Sequence, residues 1–67
     1  MRVFNEIGLT DGEAKVYLAL LRLGETKTGS LAKEAHVSLS KIYKILDKLM
    51  EKGLAGFVVK GKVRHYT

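Results

Sequence analysis

Apolar positions along the chain fall into four stretches, each bounded by residues that start or stop an element. In LTDGEAKVYLALLRLG, residues 9–24, Thr10 and Glu13 stand at capping-box spacing, so each side chain can satisfy the other's orphan backbone N–H. Leu9 and Ala14 hold the staple positions around that box, and Arg22 followed by Gly24 supplies a stop. The pattern predicts a helix over 10–23. Val16, Tyr17, Leu18, Leu20, Leu21 and Leu23 make it apolar on nearly every side, which calls for cover by the rest of the domain and by a second copy of the chain.

The segment ETKTG, residues 25–29, is a break with room for a very short strand. SLAKEA then predicts a helix over 29–35, with Thr28 or Ser30 as cap and Leu31, Ala32 and Ala35 facing inward. HVS, residues 36–38, is a tight connection. A third helix is predicted over 39–52, capped by Ser38 or Ser40 and closed at Gly53. At about 100° per residue, Ile42, Leu46, Leu49 and Met50, with Leu39 and Tyr43, form one broad apolar face. Lys41, Lys48 and Lys52 gather within roughly 20° on the far side, with Lys44 about 60° away. After Gly53 the period changes. β-Branched and aromatic residues flank Lys60-Gly61-Lys62, which predicts a hairpin over 55–67 with a basic tip. Simple alternation places Lys60, Lys62 and Arg64 on one side of it.

Composition narrows the class. A chain of 67 residues is one small domain, burying only about 60% of its unfolded surface. It has no cysteine, which excludes disulfides and thiolate metal sites. Apolar residues at 46% and charged residues at 28% describe a globular chain and not a disordered one. No apolar run approaches the ~20 residues needed to cross a bilayer, and MRVFNEIGLT lacks the apolar core of a secretory signal. A cytoplasmic protein without membrane contact is expected, nucleoid-associated when bound to DNA.

Charge then gives direction. The first 24 residues carry three basic and three acidic side chains, so the whole net charge of +5 lies in residues 25–67. A one-sided basic field favours polyanions. A short helix, a tight turn, a longer helix with a lysine stripe and a basic hairpin together make a winged helix-turn-helix, mainly α with a small β-hairpin: three helices plus a wing. A major groove about 12 Å wide admits one helix, while a wing beside it meets the backbone. Sequence-specific binding of double-stranded DNA is therefore expected, as a homodimer on two half-sites. The alternatives are a non-specific DNA or chromatin coat, or a winged helix turned to RNA or protein contact.

The stretch from Ile7 to Ala55 strongly resembles the DNA-binding domain of TrmB-like transcriptional regulators. LTDGEAKVYLALL, LAKEA and SKIYKILDKLMEKGL carry the resemblance, with the hairpin matching more loosely. It implies a winged helix that binds operator DNA, usually as a dimer. Leu39 stands where the family often has a basic residue. The family commonly adds a C-terminal sugar-sensing domain, so the resemblance of this stretch implies DNA binding and not sugar sensing.

The candidate DNA contacts are Thr28, Ser38, Ser40, Lys41, Tyr43, Lys44, Lys48, Lys60, Lys62 and Arg64. Ser38, Ser40, Lys41 and Lys44 occupy the first turns of the third helix, where base edges come within reach; capping is the plainer role for the serines. Lysine without arginine in this helix points to loose readout. Lys48 and Lys52 lie deeper, as phosphate contacts or solubilisers. Tyr43 belongs to the edge of the apolar face, with a hydroxyl able to reach a phosphate. Thr28 either caps its helix or donates to a phosphate there. His36 and His65 have no partner at ligand spacing, so no metal site is expected. No nucleophile and base can be assembled, and neither catalysis, a cofactor nor a small-molecule ligand is expected.

Overall fold

A computed structural model of the protein describes residues 8–67, and three helices and a two-stranded antiparallel hairpin follow one another along it. Helix α1 spans Asp11–Leu23, with Thr10 as N-cap and a complete capping box. The Glu13 amide donates to Thr10 Oγ1 and the Thr10 amide to Glu13 Oε1, both at 3.2 Å. Leu9 and Ala14, at the staple positions beside this box, are both buried in the core.

Helix α2 spans Thr28–Ala35 and helix α3 Leu39–Glu51. The turn between them begins at His36, which adopts the left-handed conformation with φ 59°. Its amide donates to Lys33 O and that of Val37 to Ala32 O, the paired bonds of a Schellman ending with histidine in the usual glycine position. The same pair of bonds closes α3, where Gly53 at φ 73° donates to Met50 O and Leu54 to Leu49 O.

Capping of α2 differs from expectation. Its N-cap is Lys27, and neither Thr28 nor Ser30 accepts from a helix amide, because Thr28 Oγ1 turns to a hydroxyl on α3. Ser38 holds the N-cap position of α3, yet its hydroxyl pairs with that of Ser40 at 3.1 Å and not with the helix.

The core lies where the three helices meet. Val16, Ala19 and Leu20 from α1, Leu31, Ala32 and Ala35 from α2, and Ile42, Leu46 and Leu49 from α3 are buried together with Leu9 and Tyr66. A core side chain of this size contributes about 1.5–3 kcal/mol when withdrawn from water. Two leucines of α1 remain open to different sides: Leu21 is 64% and Leu23 39% exposed.

The wing pairs strand β1, Phe57–Lys60, with strand β2, Val63–Tyr66. Gly61 at φ 64° begins a two-residue loop with Lys62, a placement that matches the type II′ hairpin turn. Thr26 adds an isolated bridge to Tyr66, with reciprocal backbone bonds of 2.8 and 2.7 Å, so the break before α2 does hold a one-residue strand. That bridge fixes the wing against the start of α2. The upstream Val3, Phe4 and Ile7, expected to add apolar surface for a dimer, lie outside the described residues.

Candidate nucleic-acid interface

The side of the molecule where the start of α2, the first half of α3 and the wing converge holds an open groove of about 570 Å³. Lys27, Lys62 and Arg64 supply cations around it, and no carboxylate lines it. Tyr43 stands in the middle. Its hydroxyl lies 3.3 Å from Thr28 Oγ1, joining the two helices, and its side is 53% exposed. Sequence periodicity placed Tyr43 and Leu39 on the buried face, but both stand open, Leu39 at 55%. The reason is geometric: the core contacts of α3 are met by Ile42, Leu46 and Leu49, which leaves the edge of that face open, with Tyr43 on the groove between α2 and the wing.

The lysines of α3 divide by role. Lys41 and Lys44 are exposed on its first turns and have no acidic partner among the described residues. Lys48 sits 3.7 Å from Glu51, an exposed pair along the same helix that is worth little. Lys52 is engaged within the protein. Its ammonium donates to Glu13 Oε1 and to Gly8 O, each at 2.6 Å, and so ties the end of α3 to the cap of α1. That hydrogen bond is the main force holding the Glu13 carboxyl below its ordinary range, against the opposing effect of burial.

The wing cations do not share a side. Cross-strand partners lie on the same face of a hairpin, and the register pairs Lys60 with Val63 and Val59 with Arg64. Lys60 and Arg64 therefore project from opposite faces, and Lys62 occupies the turn. The two-residue loop reverses the parity that simple alternation assumed. Lys60 reaches Glu25 at 2.5 Å and holds that carboxyl below its usual range through a hydrogen bond. Arg64 lies over the Phe57 ring, 4.5 Å from its centroid, which keeps the guanidinium on the face it shares with Tyr66. Lys62 has no acidic partner among the described residues.

Of the residues singled out in the sequence, Thr28, Tyr43, Lys62 and Arg64 meet at the groove, while Ser38, Ser40, Lys41 and Lys44 lie on the first turns of α3. Lys27 and Tyr66 join them without having been singled out. Lys27 precedes its helix and reads as loop, and Tyr66 reads only as a strand aromatic. No helix among the described residues is long and apolar enough to cross a membrane.

Known proteins match this architecture. The family model described as sugar-specific transcriptional regulator TrmB matches residues 4–67. The HTH-type sugar sensing transcriptional regulator TrmBL1 of Pyrococcus furiosus is 35% identical over 67 residues, covering 100% of this chain. The chain spans 19% of the length of that relative. In three dimensions the fold is similar to the crystal structure of the transcriptional regulator PA4135, with a TM-score of 0.79 and 26% identity over 92% of this chain and 47% of that one.

Proposed function

The chain belongs to the TrmB family of transcriptional regulators, and from that premise we propose that it reads operator sequences in double-stranded DNA, with α3 in the major groove and the wing on the backbone. The carrying observation is the carboxylate-free groove between α2 and the wing, continued by Lys41 and Lys44 on a half-helix without an acidic residue. Lys41, Lys44 and Ser40 supply polar contacts to base edges, and exposed Leu39 offers an apolar contact suited to a thymine methyl. Lys62 and Arg64 meet phosphates beside it. Two copies related by a two-fold axis read half-sites about one helical turn apart. The relatives being regulators, the family gives no reason to expect catalysis.

Titration of the chain with duplex DNA at several salt concentrations tests this reading. Affinity is expected to fall along a straight line in log–log coordinates, with a slope of about −0.9 for each phosphate contacted. Isotherms that ignore salt, or equal affinity for duplex RNA, would turn the reading aside.

A further inference from the structure

We propose that the groove between α2 and the wing is a built seat for one phosphodiester of the DNA backbone, and that Tyr66 is its floor. This rests on the reading of the chain as a DNA-binding domain and names a residue that reading does not require. Tyr66 is 3% exposed, yet it lines the groove. Its ring packs against Phe57 at 5.8 Å between centroids, and its backbone pairs with Thr26, so the side chain is held from two directions. Its hydroxyl has no hydrogen-bond partner among the described residues. No buried side-chain oxygen among the described residues is left unsatisfied, so this hydroxyl opens on the groove and not on the core. A tyrosine hydroxyl open to a cavity on a ring held in place can exchange water for a bound acceptor.

The other walls supply donors and no competing acceptor charge. The first intrahelical bond of α2 runs from Leu31 to Lys27 O, and no side chain caps the amides ahead of it. The N–H groups of Gly29 and Ser30 therefore stay available beside the groove they line, at the positive end of the helix. Thr28 and Tyr43 bond to each other at the rim, and either hydroxyl can re-aim its proton outward. Lys27 and Lys62 flank the mouth with neutralising charge. Hydroxyl, amide and ammonium donors converging on one cavity suit a tetrahedral oxyanion. A backbone phosphodiester is its natural source here because the first turns of α3 adjoin the same groove.

Amide and tyrosine-ring resonances followed by NMR during titration with a short duplex read the seat directly. The Gly29 and Ser30 amides and the Tyr66 ring are expected to shift together with α3. In Tyr66→Phe, which keeps the ring, duplex affinity should fall about tenfold, the scale of one lost hydrogen bond to a charged group. Thr28→Val gives a second reading at the exposed rim should the tyrosine variant fold poorly. If α3 shifts while the Gly29 and Ser30 amides stay still and both variants bind as the parent does, the seat is empty and the proposal falls, with DNA binding intact. Absence of any duplex binding would remove the DNA reading itself. If inorganic phosphate alone fills the seat and duplex does not displace it, the site belongs to a free anion and the backbone assignment is overturned.

Discussion

The ammonium of Lys52, at the end of α3, lies 2.6 Å from Oε1 of Glu13, the same carboxylate oxygen that closes the capping box of α1. One oxygen thus serves the helix cap and the contact between two helices. Lys52→Met removes a charge-assisted bond and is expected to lower stability by about 1–2 kcal/mol. The same contact makes stability depend on acid. Glu13 is held below its ordinary value of 4.5, so on acidification the unfolded chain takes up this proton first. The stabilisation is complete above about pH 5 and drains away as pH falls from 4.5 through the lower folded value. Glu13→Gln should flatten that part of the melting-temperature profile. A profile with the parent's slope would show that other carboxylates govern acid unfolding.

The capping box was legible because it depends only on local spacing, and so were the buried positions of α3 that point straight at the core: Ile42, Leu46 and Leu49. What the sequence concealed depends on partners distant along the chain. Lys52 belongs with the lysine stripe by angle, and only the packing of α3 beside the start of α1 converts it to a tie between helices. Lys60 and Arg64 share parity, and only the length of the loop decides that they part to opposite faces. Tyr43 and Leu39 sit at the edge of an apolar arc, where exposure is set by how far α2 and the wing reach around α3. Tyr66 looks like an ordinary strand residue until its hydroxyl is found without a partner among the described residues.

A homodimer is the expected working form. Leu21 is 64% exposed on α1, an apolar side chain that the three-helix core leaves uncovered, and Leu23, on another side of the same helix, is 39% exposed. Sedimentation over a range of concentrations should show a dimer that Leu21→Lys shifts toward the monomer, while far-ultraviolet dichroism stays the same. A monomer mass held to high concentration, both free and on DNA, would exclude the dimer. Loss of the dimer on deleting residues 1–8, with Leu21→Lys still dimeric, would move the interface to the N-terminus.

Base readout and backbone contact should separate by mutation. Lys41 and Lys44 stand on the first turns of α3 without acidic partners among the described residues, so their ammonium groups are free to reach base edges. Lys62 is in the turn of the wing, the part that the proposed docking sets on the backbone. Lys60 is engaged by Glu25, so its removal exchanges a wing anchor for a loose strand and leaves the groove cations in place. Selection from random duplexes should therefore return altered preferences for Lys41→Ala and Lys44→Ala, a shift of about 1–3 kcal/mol at the contacted positions. Lys62→Ala should keep the parent's preferences, weaken every sequence alike and reduce the salt slope by about one. Lys60→Ala should weaken binding less than Lys62→Ala does. Uniform loss across all four variants, with no change in the selected sequences, would mean a protein that coats DNA without reading it.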